Sequence, residues 1–242
     1  MLVDVVLYGG ESDLLELRLD YLQADHTIVL EGDRHFTGEY KGWSFPDIQH
    51  RFPTVTFCPV ESAQFGDPWQ NEFYQRNQAA QCLDALRLPD DAIVGLFDCD
   101  EIPDADLIRQ TVDLSAWSMT KHQGSAYWFQ HHELTGLSGS WRNLRGGDFA
   151  QIRLRRNNLP TVSGGYHLSS FGSLADTLTK WMTFSHQELR RPNMDDWVTH
   201  CWTHGIAIES GVQLIELDDL PADMPDYLLK GNGPNHWYRR RA

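Results

Sequence analysis

The sequence predicts an α/β fold: a mostly parallel sheet in the first half and a smaller mixed region in the second. Three observations carry this prediction. Short apolar, β-branched runs alternate with helical stretches from Leu2 to about residue 115. Ala92–Phe97 (AIVGLF) is uninterrupted and apolar, as a strand buried on both faces should be. The chain has 242 residues, 41% hydrophobic and 22% charged, which is enough to bury one large core.

Leu2–Tyr8 reads as the first strand and ends at Gly9-Gly10. A helix starts near Ser12-Asp13, with Leu15, Leu19 and Leu22 on one face. His26–Glu31 is a second strand, and Thr54–Val60, introduced by Pro53, is a third. Trp69–Leu88 reads as one long helix, broken by Pro89-Asp90-Asp91. The fourth strand, Ala92–Phe97, runs into Asp98-Cys99-Asp100-Glu101-Ile102-Pro103, and a helix follows from Asp104. Such alternation implies right-handed crossovers, with ligands bound beyond the carboxyl ends of the strands. Glu31 and Asp98 both stand at such ends.

The second half reads differently. Ser125–Leu134 and Phe149–Arg155 resemble antiparallel strands, and the Gly-rich stretch 135–148 between them reads as a loop or hairpin. Its 136–147 portion is a candidate for a loop that closes over a ligand. Leu174–Phe184 and Asp195–Trp202 read as helices, and periodicity fades after Leu220. No repeat or linker divides the chain, so a single domain over 1–242 is expected, with halves of about 1–115 and 116–242.

Acidic residues number 34 against 20 basic ones, a formal net charge of −14. That balance repels phosphate backbones and argues against nucleic acid as a partner; the Arg239-Arg240-Arg241 tail is too short to reverse it. No apolar run is long enough for a membrane span, and the N-terminal stretch reads as a strand instead of a leader. Cys58, Cys82, Cys99 and Cys201 form no Cys-x-x-Cys pair, so neither a zinc knuckle nor a disulfide framework is expected. With no Asn-x-Ser/Thr sequon either, a reducing cytoplasm fits best. The chain has nine tryptophans, whose flat faces suit sugars as well as core packing.

The sharpest chemical feature is Asp98-Cys99-Asp100 at the end of the apolar strand. Two carboxylates at i and i+2 can share a hard divalent ion, and Mg²⁺ or Mn²⁺ so held would neutralise a diphosphate leaving group. The competing reading is a pair of solvated loop acids. Arg76, within Glu72–Asn77, suits phosphate or nucleotide binding, or else pairs with Glu72 four residues earlier.

Six segments in order carry a family resemblance. They are Glu11-Ser12-Asp13-Leu14-Leu15-Glu16-Leu17-Arg18-Leu19; Val29-Leu30-Glu31 with His35-Phe36-Thr37-Gly38-Glu39-Tyr40-Lys41; Trp69–Asn77; Asp98–Pro103; Gly165-Tyr166-His167-Leu168-Ser169; and Ser185-His186-Gln187-Glu188. The chain resembles glycosyltransferase family 17, whose best-known members add the bisecting β-1,4 N-acetylglucosamine to N-glycan cores. Departures include Gly9-Gly10 in place of an Asn-rich turn and Tyr166 in place of Trp.

The resemblance implies a GT-A-like fold with a Rossmann-like first half, a UDP-sugar donor such as UDP-N-acetylglucosamine, and Mn²⁺ or Mg²⁺ as cofactor. It leaves the acceptor open: a glycan, a protein or a small molecule. Asp98 and Asp100 are expected at the metal, Asp98 alternatively at the ribose, with His186 or His167 as a further ligand. Glu31 is expected on the uracil or ribose, or as a cap of the next turn, and Arg18, Lys41 and Arg76 on the donor side. Glu188 is the expected general base of an inverting displacement, with Asp195 and Asp196 in reserve. Tyr166, His167 and Asp195 are expected on the acceptor side. Competing functions are another Asp-x-Asp metal enzyme, such as a nucleotidyltransferase or phosphohydrolase, and a non-catalytic carbohydrate-binding protein. No GxxxxGK[ST] or GxGxxG stretch is present, which removes the P-loop ATPase and weakens the dinucleotide oxidoreductase.

Overall fold

The computed structural model describes residues 1–238, so the basic tail at 239–241 lies outside the described residues. The first half folds as its alternation dictates. β1 (Leu2–Leu7) is followed by α1 (Ser12–Leu22), and β2 (His26–Gly32) pairs parallel to β1. After α2 (Phe45–Ile48), β3 (Val55–Val60) pairs parallel to β2. The expected long helix is instead two, α3 (Pro68–Asn77) and α4 (Ala79–Ala85). They part at Gln78, whose N–H is shared between the carbonyls of Tyr74 and Gln75. β4 (Ile93–Asp98) then pairs parallel to β1 on its free side.

Burial follows the strand period of two. Val6 and Val29 face α1, whereas Val3, Val5, Ile28 and Leu30 face the opposite core with Leu83 of α4. Beyond β4 come β5 (Glu101–Ile102) and α5 (Ala105–Ile108), the latter capped by Asp104 as expected.

The second half departs further from expectation. β6 (Ser115–Gln123) and β7 (Trp128–Ser140) form an antiparallel pair, and β7 runs antiparallel to β4. The Gly-rich stretch is therefore strand up to Ser140, followed by the short helix α6 (Trp141–Leu144), and is no closing loop. Its glycines serve close approach: a Cβ on Gly136 would lie 2.2 Å from the Phe97 ring and 2.7 Å from the Leu96 carbonyl. Phe149–Arg155 is also not a strand. Asp148 accepts from the Gln151 N–H and caps a helix, α7 (Phe149–Leu154).

β6 escaped notice because its inward residues include polar ones that find partners inside. Buried Lys121 meets Glu133 and Glu209 at 3.0 Å, and Gln123 bonds the backbone of Ile206 and Ile208. β8 (Thr161–Ser169) holds the Gly-Tyr-His segment, pairing parallel to β6 and antiparallel to β5. Gly165, at φ +88°, is required there, since a Cβ would sit 2.3 Å from the Ile102 carbonyl.

α8 (Leu174–Thr183) begins with a capping box of Ser173 and Asp176, and packs Trp181 against Met194 and Val198 of α9 (Met194–His204). β9 (Ile215–Glu216) pairs with β7, and α10 (Asp226–Leu229) follows. The sheet order is β3-β2-β1-β4-β7-β6-β8-β5, parallel in its first four strands and mixed beyond. The fold is thus α/β with a Rossmann-like parallel half and a mixed region, as expected. Among the described residues no helix is long and apolar enough to cross a membrane.

One expectation is overturned outright. Cys58 of β3 and Cys82 of α4 form a disulfide, with Cα atoms 6.4 Å apart. A strand and the helix packed on it bring together cysteines that sequence spacing leaves unrelated. Disulfides persist where the surroundings oxidise, so the cysteine argument for a reducing compartment falls away. Denatured, unreduced protein is expected to titrate two thiols, those of Cys99 and Cys201. Reduction should expose the other pair and lower stability by about 3 kcal/mol for a loop of this size. Four thiols without reductant would show that the bond does not form.

Candidate active site

β1 lies between β2 and β4, so the strand order reverses beside it. Such a switch point opens a crevice at the carboxyl ends of the two diverging strands. A cavity of about 730 Å³ opens there. Gly9, Gly10 and Glu11 beyond β1 and Asp98, Asp100 and Glu101 beyond β4 line it. Trp69 and Glu72 of α3, Lys180 of α8, and Glu133 and His167 of β7 and β8 also line it.

The turn after β4 is held from beneath by Arg18. Its guanidinium is fully buried and grips Asp4 of β1 through two 2.6 Å bonds, from Nε to Oδ2 and from Nη2 to Oδ1. Its Nη1 donates to the carbonyls of Glu101 and, at 3.4 Å, Asp98. Arg18 is therefore a structural clamp and not a donor ligand. At its sequence position it looked equally suited to both, and only the buried Asp4 partner decides.

Above the turn, each acidic side chain meets cations. Asp98 accepts from Arg76 Nη2 at Oδ1 and from Arg153 Nη2 at Oδ2, both at 2.8 Å. Burial would raise its carboxyl, but Arg153 and Arg76 hold it at about 2. Glu101 accepts from Arg153 at 2.7 and 3.1 Å and from the Asp98 N–H at 2.9 Å. Asp100 accepts from Lys180 Nζ at 2.6 Å, with His167 Nε2 at 3.5 Å. Burial opposes its charge, but Lys180 and His167 hold it far below the ordinary carboxylate range. The Asp100 carbonyl also accepts from the Leu168 N–H at 2.7 Å. His167 Nδ1 meets Glu133 at 2.8 Å, and Glu133 meets Lys121 at 3.0 Å. Burial disfavours the His167 charge, yet Asp100 and Glu133 push its pKa up to about 10. Glu133 is raised by burial but held at about 2 by His167 and Lys121.

The expected residues divide. Asp98, Asp100, His167, His186 and Lys41 line the cavity. Glu31 does not: it is wholly buried and accepts from Lys41 at 2.6 Å and from the N–H groups of Ser44 and Phe45 at 2.9 Å, which makes it the cap of α2. Its oxygens have no vacancy for uracil or ribose, and Lys41 is tied to it. Arg76 is buried behind Asp98 and also bonds Glu72 at 2.8 Å, so it positions the carboxylate. Tyr166 is buried in the core, with Asp223 as its hydroxyl's partner, because alternate residues of β8 face inward. Asp195 is exposed on the first turn of α9, outside the cavity lining, and so is Asp196. Glu188 stands half exposed at the rim, where it accepts from Trp69 Nε1 at 3.3 Å and meets His186 Nδ1 at 2.7 Å.

The expected ion set of Asp98, Asp100 and His186 is not assembled. His186 stacks edge-on against Trp69, with ring centroids 4.3 Å apart, and turns to Glu188. Asp98 has both oxygens on guanidinium groups, and Lys180 sits on Asp100 where a cation would sit. Among the described residues no group of three His, Cys, Asp or Glu side chains is placed to hold a metal. The residues present do not fit the expected Mn²⁺ or Mg²⁺ site.

Sequence reading missed Arg153, Arg156, Glu133 and Lys180. The run Arg153-Leu154-Arg155-Arg156 was a usable signal, since i and i+3 share a helix face, but it was masked by reading the segment as a strand. A lone Lys on α8 gives no such signal.

Replacing Arg18 with Met strands Asp4 in the core and should cost about 3–5 kcal/mol, read by urea unfolding. A loss under 1 kcal/mol would refute the clamp. The pH dependence has a defined sign. His167, raised above its ordinary 6.5, contributes stability that is full below about 6.5 and lost as pH rises through about 10. Asp98 and Glu133, depressed to about 2, contribute above their ordinary values of 3.8 and 4.5 and lose it as pH falls toward 2. By NMR, one imidazole should remain protonated at pH 8; a midpoint near 6.5 for His167 would contradict this electrostatic account.

Comparison with known proteins follows the same lines. The model of glycosyltransferase family 17 matches residues 1–199. A search of curated proteins finds no match. Among solved structures, TarS of S. aureus is 12% identical at a TM-score of 0.39, and the match covers 84% of this chain and 43% of TarS. The bifunctional IspDF of Campylobacter jejuni is 7% identical at 0.33, covering 66% of this chain and 48% of that one. A nucleoside-diphosphate-sugar pyrophosphorylase of Vibrio cholerae RC9 is 9% identical at 0.31, covering 70% and 92%. The chain thus spans less than half of the first two, and all three likenesses are loose. The family match covers most of the sequence and needs no such support: the chain belongs to glycosyltransferase family 17.

Proposed function

We propose that the chain moves a sugar from a nucleotide sugar, with UDP-N-acetylglucosamine the first donor to test, onto an acceptor hydroxyl within the cavity at the ends of β1 and β4. The observation that carries this reading is the Asp98–Asp100 turn at the switch point, beside a cavity of about 730 Å³. Volumes of that order suit one small ligand with most of its surface enclosed. Trp69 offers an aromatic face at the rim, suited to a base or a sugar ring.

The reaction requires a proton acceptor for the attacking hydroxyl. His186 and Glu188 act as a pair in this reading, with His186, expected at the metal, taking the base role expected of Glu188. His186 lines the cavity, and Glu188, 2.7 Å from Nδ1, fixes the ring with Nε2 free to take the proton. The hydroxyl oxygen then bonds to the anomeric carbon as the bond to the diphosphate oxygen breaks. The electron pair leaves on the nucleoside diphosphate.

Incubation with UDP-N-acetylglucosamine and a library of glycans and small hydroxyl acceptors should release UDP together with a glycosylated product. His186→Asn should lower kcat by about 10²–10⁴-fold with UDP affinity unchanged. Glu188→Gln should lower kcat less and shift its pH profile. Wild-type kcat in both variants would remove the pair from the chemistry. Failure to bind any nucleotide sugar would remove the donor reading.

A further inference from the structure

A departing nucleoside diphosphate needs positive charge, and the cavity supplies it from its own side chains. Arg76 and Arg153 are ion-paired with Asp98, Glu72 and Glu101, although Arg76 Nε is itself without a partner. Of the other cations on the lining, Lys41 is held by Glu31 and Arg34 lies over the Tyr40 ring, while Lys180 and Arg156 keep donors to spare. Lys180 uses one N–H on Asp100 at 2.6 Å, and its side chain keeps about a third of its surface open in the cavity. An ammonium has three donors, so two remain for an incoming anion.

Arg156 follows α7 in the short turn 156–158 and also lines the cavity. Its Nη1 donates to the Arg153 carbonyl at 3.3 Å, while its Nε is buried without a partner. No carboxylate pairs with it within 4 Å among the described residues. The Arg156 guanidinium thus lines the cavity without a carboxylate partner, and an anion bound there can accept from its terminal nitrogens. Burial and the like charge of Arg153 disfavour the Arg156 charge, and Glu101 and Asp98 offset this only in part. The oxygens of a diphosphate match a guanidinium fork and a point-charge ammonium acting together.

We infer that Lys180 and Arg156 receive the diphosphate of the nucleotide donor, with Lys180 taking at Asp100 the place a divalent ion would take. The inference rests on the nucleotide-sugar reading above and deepens it: the nucleotide is held by a side-chain clamp that works without metal. Asp100 then serves to aim Lys180, and Glu101 and Asp98 keep Arg153 from competing for the phosphates.

The test is calorimetric titration of the full chain with UDP, UMP and uridine in EDTA, repeated with Mn²⁺. UDP should bind in EDTA at least tenfold more tightly than uridine. Arg156→Ala and Lys180→Ala should each weaken UDP at least tenfold and leave uridine within twofold. Lys180→Arg should retain most of the UDP affinity, which separates a lost charge from a disturbed fold. Melting temperatures check that each variant is folded. UDP binding that appears only with Mn²⁺, or that is unchanged in both alanine variants, would overturn the clamp and leave the donor reading intact. If UDP, ADP, GDP and CDP all fail to bind with and without Mn²⁺, the clamp and the donor reading fall together.

Discussion

Everything at the site depends on one buried ion pair. Arg18 is fully enclosed and grips Asp4 through two bonds while reaching the carbonyls of Asp98 and Glu101. Burying a guanidinium is costly, and its partner carboxylate and the turn carbonyls offset the cost only while all of them stay in place. The pair thus couples the first strand, the first helix and the Asp-x-Asp turn. A strand end alone would leave that turn free to choose among conformations. Arg18 holds the carbonyls of Asp98 and Glu101 and Arg153 holds their side chains, so the two ends of the turn are fixed twice over.

The charge arrangement follows from that constraint. The chain carries a formal −14, yet the cavity places Arg153, Arg156, Lys180 and His167 together. Each acid of the turn is matched by cations from elements distant in sequence: α3 and α7 for Asp98, β8 and α8 for Asp100. Global charge governs long-range encounter, whereas the field inside a low-dielectric cavity is set by nearby groups. Net charge therefore speaks against a nucleic-acid partner without speaking against a nucleotide.

The first half was legible because its signals are local. Apolar runs, an uninterrupted central strand and turn residues at their ends located β1 to β4 and the crevice beyond them. The second half was less so, for physical reasons. β6 hides polar residues that are satisfied only by long-range partners such as Glu209 and Ile206. In β7, Gly136 and Gly139 are dictated by the approach of Phe97 and Leu114, but glycine in a polar context reads as a loop. At the site, the motif residues beyond a strand end are legible, while Arg18 and Glu31, whose positions suit ligand contact and structural pairing alike, and Tyr166, expected on the acceptor side, are each buried. Sequence pattern locates a residue on an element. It does not show whether the facing element has already taken its hydrogen bonds.

The two carboxylates of the turn differ in what secures them, and this links the site to the whole sheet. Asp98 is held by arginines from α3 and α7, helices that pack on one face of the parallel half. Asp100 is held by groups from β8 and α8, and its carbonyl accepts the Leu168 N–H. β6 pairs with β8 along its length and β5 pairs with it at Tyr166 and His167, and the β5 pairing needs a glycine at 165 to let the backbones meet. The turn is therefore where the parallel half and the mixed half join, through side chains as well as through the β4–β7 ladder. A first half folded alone would present Asp98 with its arginine from α3 but leave Asp100 without Lys180 and His167. Arg153, Arg156, His167 and Lys180 all come from residues beyond Ser115, so the cavity at the turn is a product of the joined sheet and not of the parallel half by itself.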